Sequence, residues 1–143
     1  VAILRAAGGE ILALRGGVAT SQACIVSHLL HTDGALRSAT DYAELLGWSI
    51  GAPVDRGPLG TLRDLAWGAG GPTVGAMMDV AGRPGVHTHW LFFFGVPALD
   101  AAMEAVRARG GKVIGPVVSP DGSRIAVCDD PQGAAFGLME ASA

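Results

Sequence analysis

Apolar residues recur along this chain with two periods, and the alternation between those periods predicts its secondary structure. Residues 87–96 form a run of aromatic and β-branched side chains, a composition typical of a strand on a pleated, half-buried surface. After Pro97, apolar side chains recur every three or four residues over 98–109, which predicts an amphipathic helix. Gly110 and Gly111 supply the left-handed residue that ends such a helix, and a strand is expected to follow at once.

The chain contains this order of strand, helix and three strands twice, which indicates a tandem duplication. In the first copy, Thr32 and Asp33 are suitable helix N-caps, and the helical pattern stops at Gly47. The buried stripe of that helix is expected on Leu36, Ala39, Ala43 and Leu46. Strands are predicted at 24–32, 48–54, 61–67 and 73–80 in the first copy, and at 87–96, 112–119, 123–128 and 135–140 in the second.

The first 22 residues are expected to stand apart from the duplicated domain. Two short apolar runs flank Gly8 and Gly9, which predicts a hairpin, with a helix as the alternative for the second run. Residues 16–22 have the composition of a linker. We therefore divide the chain into a hairpin and linker at 1–22 and one domain at 23–143, with modules at about 23–82 and about 86–141.

Composition and charge exclude several classes of partner. Half of the residues are hydrophobic, yet no apolar run approaches the roughly 18 residues that a membrane span needs. The net charge of −3 comes from scattered acids, so no basic surface is offered to nucleic acid. Cys24 and Cys128 lack the spacing of a disulfide framework or a zinc site. We expect a soluble cytoplasmic homodimer whose partner is a small-molecule ligand, and neither nucleic acid nor a membrane.

Three segments carry a resemblance to a known family. They are ELLGW at 44–48, GVPALDAAMEAVRARGGKVIGP at 95–116 and DPQGAAFGLME at 130–140. With the duplication, they make residues 25–140 resemble the vicinal oxygen chelate superfamily of glyoxalase, bleomycin-resistance and extradiol-dioxygenase proteins. The resemblance implies an α+β fold, in which tandem βαβββ modules form paired, curved, mixed sheets around a ligand cleft. The N-terminal hairpin is then an extension of this fold.

The same resemblance implies where a metal would be held. Metal-dependent members place a His or Gln on the first strand of each copy and a Glu on the last strand of each copy. In this chain the second first-strand position falls on Leu91, and the two last-strand positions fall on Gly75 and Gly137. A leucine or a glycine has no side-chain donor for a divalent ion.

The metal position on the first strand of the first copy is ambiguous. It falls on Val26 or Ser27, and it reaches His28 only with a further register shift. Even with His28, one imidazole cannot hold a catalytic ion. We therefore expect neither a metal nor another cofactor, although a non-standard site that combines His28, His87 and His89 is an alternative.

Strand parity also predicts which side chains face the cleft. His87 and His89 are two residues apart and share a face, with His28 as a potential partner for His89 across the pseudo-twofold axis. Trp90, Phe92 and Phe94 have the opposite parity and are expected under the helix. The predicted cleft residues are His28, Trp48, Trp67, Gly75, Met77, His87, His89, Leu91, Phe93, Gly137 and Met139.

Three functions are compatible with these residues. The leading hypothesis is a binding protein that holds an apolar or aromatic molecule in the cleft without a catalytic metal. The first alternative is a metal-dependent lyase, isomerase or dioxygenase with a non-standard histidine site. The second alternative is a degenerate module that is retained for assembly with another chain.

Overall fold

The computed structural model describes residues 2–5, 11–14, 25–57, 60–118 and 122–141. The predicted linker at 16–22, together with Cys24 and Ser119, lies outside the described residues. The strands are β1 (Ala2–Arg5), β2 (Ile11–Leu14), β3 (Ile25–Thr32), β4 (Trp48–Asp55), β5 (Thr61–Trp67), β6 (Thr73–Asp79), β7 (His89–Val96), β8 (Lys112–Val118), β9 (Arg124–Asp129) and β10 (Ala135–Glu140), and the helices are α1 (Ala35–Leu46) and α2 (Leu99–Ala108).

The two predicted modules join edge to edge in one eight-stranded sheet with the order β4-β5-β6-β3-β7-β10-β9-β8. The first strands of the modules, β3 and β7, pair antiparallel at the centre, with Leu29 opposite Leu91. Within each module the first strand runs parallel to the last one, so β3 pairs with β6 and β7 pairs with β10. The predicted α+β fold is confirmed, and its two modules share one continuous hydrogen-bonded sheet.

The N-terminal segment forms the predicted hairpin. Strands β1 and β2 pair antiparallel in a separate two-stranded sheet, with Ala2 opposite Leu14. Neither helix among the described residues is long and apolar enough to cross a membrane.

Helix α1 lies where it was predicted, and Ala39 and Leu46 of the expected stripe pack against the core, but Leu36 does not. Leu36 is 73% exposed, whereas Ala35, Ser38 and Tyr42 are buried. Two of these buried residues are polar, and each has a partner outside the helix. Ser38 Oγ lies 2.9 Å from the buried Thr32 Oγ1, and the Tyr42 hydroxyl accepts a hydrogen bond from Trp90 Nε1 at 3.1 Å. The predicted stripe on Leu36 is wrong because these distant partners allow polar side chains to face the sheet.

Both helices pack on the same face of the sheet. Trp90 packs against the α1 core, and Phe94 packs against the α2 core around Leu99 and Met103. These two aromatic residues share a parity on β7, so the prediction that they lie under the helices is correct. Residues of the opposite parity, Leu91 and Phe93, face away from the helices. This second face carries the cleft.

Candidate functional site

The cleft lies on the sheet face that is opposite the helices, and side chains from both modules form its walls. Its cavity volume is about 200 Å³. The apolar walls are formed by Leu29, Leu62, Ala76, Phe93, Ile125 and Met139, while Ser27, Thr73 and Ser123 add hydroxyl groups. Apolar walls with a few polar groups are the usual composition of a small-molecule site.

One ion pair lies in the cleft. Arg56 Nη2 donates to both carboxylate oxygens of Asp64, at 3.0 and 3.3 Å. Both side chains are partly exposed, at 29% for Arg56 and 42% for Asp64. Asp64 follows the apolar cleft residue Leu62 by two positions on β5, so both point to the same face. The cleft therefore combines an apolar interior with one charged pair.

Four of the predicted cleft residues contact the cleft. Phe93 and Met139 line it from the second module, while His28 and Gly75 border it from the first. The ring of His28 nevertheless points to the helix side. It stacks on Trp48 with ring centroids 5.4 Å apart, and it meets Trp90 edge to face at 5.3 Å.

The structure does not bring the other predicted residues to the cleft. Trp48 and Met77 are buried in the core beneath α1. Trp67 is 52% exposed and packs edge to face on Trp48. Leu91 is buried behind the cleft, and the ring of Phe93 covers Gly137 so closely that a Cβ there would overlap it.

Gly75 borders the cleft as predicted, but Gly75 and Met77 both point to the helix side, for one reason. The pairing between β5 and β6 shifts register between Leu65 and Ala66, and this irregularity adds one residue to β6 before Gly75. Such a bulge moves the following side chains to the other face of the sheet. The residues of β6 that share the cleft face are therefore Ala76 and Met78.

The predicted histidine pair forms with a different partner from the expected one. His31, and not His28, lies opposite His89 across β3 and β7, with ring centroids 4.5 Å apart. The ring of His87 lies 4.9 Å from that of His89. Because His28 points to the helix face, the structure does not bring it together with His87 and His89 as the alternative metal site requires.

The two histidines of β3 are both held neutral by their surroundings. Burial lowers the pKa of His28. Burial also lowers the pKa of His31 to about 4, with smaller contributions from His89, Arg83 and His87. In each case the charged form is disfavoured because it loses its hydration.

Several cleft residues were missed from the sequence. Strand parity could have placed Leu62 and Asp64 on one face of β5, and Leu29 on the face of β3 that carries His31, but no apolar–polar alternation marks that face as the cleft. Arg56 follows β4 in a connecting segment, where no periodicity indicates the direction of a side chain. Only its contact with Asp64 places it in the cleft.

These features define a two-module α+β protein with a cleft between the modules. The family model of the Glyoxalase/Bleomycin resistance protein/Dioxygenase superfamily matches residues 25–138. The chain belongs to this superfamily, as its sequence resemblance implied.

Two other comparisons give more specific similarities. The sequence relatives are matched over a small part of their length, and the solved structures have low sequence identity. The provisionally named glyoxylase CFP32 from Mycobacterium tuberculosis and its counterpart in Mycobacterium bovis are each 41% identical over 73 residues. That match spans 50% of this chain and 28% of each relative, so the chain corresponds to less than a third of their length.

Solved structures share the fold at low sequence identity. Hypothetical protein BH1468 from Bacillus halodurans has a TM-score of 0.61 and 13% identity, over 86% of this chain and 97% of that one. Methylmalonyl-CoA epimerase from Mycobacterium tuberculosis has a TM-score of 0.57 and 17% identity, over 89% of this chain and 94% of that one. At these identities the likeness concerns the fold alone.

Proposed function

We propose that the protein binds a small, largely apolar or aromatic molecule in the cleft, without the metal of its metal-dependent relatives. The observation that supports this proposal most directly is the chemistry of the strand positions on the cleft face. Leu29 and Leu91 occupy the paired first strands, and Ala76 and Gly137 occupy the last strands. None of these four side chains carries a donor atom for a metal ion.

Other acids and histidines do not replace these missing donors. Within the described parts of the chain, no group of three or more His, Cys, Asp or Glu side chains is arranged to hold a metal ion. Asp64 lines the cleft, but Arg56 already occupies both of its oxygens. The residues present therefore do not fit a divalent ion in the cleft.

The size of the cleft supports a small ligand. A cavity of about 150 Å³ accommodates a benzene-sized molecule, whereas pockets for drug-sized ligands have volumes of roughly 300–1,000 Å³. At about 200 Å³, this cleft suits a molecule with one ring or a short acyl chain. Phe93 offers an aromatic surface for such a ring, and the Arg56–Asp64 pair would orient a polar substituent.

The second candidate function is a metal-dependent lyase, isomerase or dioxygenase. The names of two similar proteins, a glyoxylase and a methylmalonyl-CoA epimerase, favour this candidate. The potential metal-binding side chains of the cleft do not favour this candidate. The cytoplasmic setting and the homodimer stay predictions.

Cleft filling tests the proposal. The probe is phenol, a molecule with one ring, and its binding to the unmodified protein and to the Ala76→Phe variant is followed by ligand-detected NMR. The phenyl ring of that variant would occupy the cleft. We expect saturable binding that weakens at least about tenfold, roughly 1.4 kcal/mol, in that variant. Ala52→Phe is the matched control, since Ala52 is exposed on the edge strand β4 and should leave binding unchanged. Equal binding by both variants would place the ligand elsewhere and refute the proposal.

Metal analysis distinguishes the two candidate functions. We expect purified protein that is exchanged into zinc or manganese to retain much less than one ion per chain. One tightly bound ion per chain, lost in a His89→Ala variant, would contradict the binding-only proposal and support the enzyme.

A further inference from the structure

A cluster of imidazoles lies on the cleft face of the sheet, beyond the cleft itself. The rings of His31 and His89 stack with an interplanar angle of 20°. His87 continues the row beside His89, and its carbonyl oxygen accepts a hydrogen bond from His89 Nδ1 at 2.7 Å. None of these rings lines the cleft, so the cluster is separate from the proposed ligand site.

Arg83 adds a permanent positive charge to this cluster. It lies on the segment between β6 and β7, and its guanidinium group contacts Gly60. Arg56, Arg107 and Arg124 each form an ion pair with a carboxylate, whereas Arg83 forms none with the residues that the structure describes. A guanidinium group without a counter-ion is the usual recognition group for a carboxylate or a phosphate.

Arg83 and His87 line one surface depression of about 510 Å³. Thr88 adds a hydroxyl group, and Val80, Ala81 and Pro84 contribute apolar or backbone surface. Two acids lie nearby. Asp33 lines the same depression, and Asp79 lies beside Arg83 in an adjoining one, where its Oδ1 accepts the N–H of Ala81. Neither acid forms an ion pair with Arg83 or His87 in the described chain.

The innermost ring of the row has one unsatisfied nitrogen. His31 Nδ1 is buried, and it has no hydrogen-bond partner among the residues that the structure describes. The neighbouring His89, Arg83 and His87 add to the burial that keeps the pKa of His31 near 4. The permanent positive charge of Arg83 acts on this end of the sheet, and a bound anion would offset it.

We propose that Arg83 and His87, with His89 and His31 stacked behind them, form an oxyanion site for a phosphate or carboxylate group outside the cleft. The guanidinium group and the His87 imidazole would donate charge-assisted hydrogen bonds to the oxyanion. The negative charge of the bound anion would act on His31 behind the row of rings and would stabilise its protonated form.

Titration of the histidine signals tests this site. Inorganic phosphate and, separately, acetate are added at constant ionic strength while the ¹H–¹³C signals of the four histidines are recorded. We expect saturable shifts at His87 and His89, little change at His28 on the other face, and a rise in the pKa of His31 when the site is filled. Binding of phosphate alone would identify a phosphate group, whereas binding of both anions would identify a site that also accepts carboxylates.

Charge variants test the assignment of residues. Arg83→Gln should weaken phosphate binding at least about tenfold, the minimum expected when a charge-assisted hydrogen bond is lost. Arg109→Gln is the matched control, because Arg109 is exposed at the end of α2 and bonds only its own helix. Asp33→Asn should have the opposite effect and tighten binding. The absence of saturable shifts up to tens of millimolar in the unmodified protein would overturn the proposal, as would equal affinity in the Arg83 and Arg109 variants.

Discussion

The two modules have the same order of elements, but their first strands place a ring on opposite faces of the sheet. In the first module, the ring of His28 lies over Gly75 on the helix side, among Trp48 and Trp90. In the second module, the ring of Phe93 lies over Gly137 on the cleft side. In both cases the glycine provides the space that the neighbouring ring occupies.

This difference makes the cleft asymmetric. The first module packs its rings beneath α1 and contributes the charged pair of Arg56 and Asp64 to the cleft. The second module contributes the aromatic surface of Phe93 and the flexible side chain of Met139. The charged pair therefore lies on the first-module side of a cleft that is otherwise largely apolar, which favours ligands with one polar and one apolar end.

The largest expected effect comes from a methyl group at the two glycines. At Gly75 a Cβ would overlap the carbonyl oxygen of His28, a backbone atom that cannot move alone, and would lie 2.7 Å from its ring. At Gly137 the three nearest atoms to such a Cβ all belong to the ring of Phe93. We expect Gly75→Ala to lower the free energy of unfolding by about 3 kcal/mol and Gly137→Ala by about 1 kcal/mol, since overpacking costs most where the backbone must shift. Urea unfolding measures both.

Two further measurements identify the atoms responsible. Adding Phe93→Ala to Gly137→Ala should restore most of the lost stability, whereas adding His28→Ala to Gly75→Ala should restore little, because the carbonyl oxygen remains. Gly137→Ala should also weaken ligand binding, since the displaced Phe93 ring would enter the cleft. Equal losses of stability in Gly75→Ala and Gly137→Ala would contradict the difference that we describe between the His28 and Phe93 rings of the two modules.

The element order of both modules was predictable because it depends on local patterns. Short runs of strand-forming residues next to glycine-containing turns placed β5 at 61–67 and β10 at 135–140, as the structure has them. The period-four pattern and Gly47, which has a φ of 67°, placed the end of α1. These signals need only neighbouring residues in the chain.

The faces of the first module were not predictable, because they depend on distant residues. Tyr42 is buried in α1 because Trp90, 48 residues further along the chain, donates a hydrogen bond to its hydroxyl. The bulge near Leu65 moves Gly75 and Met77 to the helix side, and no local pattern distinguishes a bulge from a regular strand. The alignment of the two copies by identical residues therefore placed Gly75 and Met77 on the wrong face of the sheet.

A smaller effect on stability is expected from the contacts at the start of each helix, which differ between the two modules. At α1, Thr32 and Ser38 share a buried hydrogen bond, and Thr32 Oγ1 also accepts the N–H of Gly34 at 3.3 Å. Thr32→Val keeps the shape but removes the hydrogen bond to Ser38, which should cost about 0.5–1.5 kcal/mol. The loss should be the same at low and high salt, because the pair is neutral and buried. Urea midpoints at two salt concentrations measure it, and a strong salt dependence would contradict this account.

The smallest effect is expected at α2, which begins with a charged network near the surface. Glu140 accepts the N–H of Leu99 at 3.0 Å and pairs with Arg124 at 2.9 Å, and Arg124 also pairs with Asp100.

The hydrogen bond from the Leu99 N–H lowers the pKa of Glu140 below its ordinary value, and the hydrogen bond from Arg124 lowers it further. The contribution of this network to stability is therefore present above the ordinary glutamate pKa and is lost as the pH falls through the lowered one. Arg124→Met should destabilise the protein at pH 7 by less than Thr32→Val does, and by less again in high salt, since partly exposed ion pairs are screened. Below the lowered pKa, where Glu140 is protonated in both proteins, their stabilities should converge. Unfolding midpoints at neutral and acid pH measure this, and a loss that persists unchanged in acid would show that Arg124 acts through packing instead.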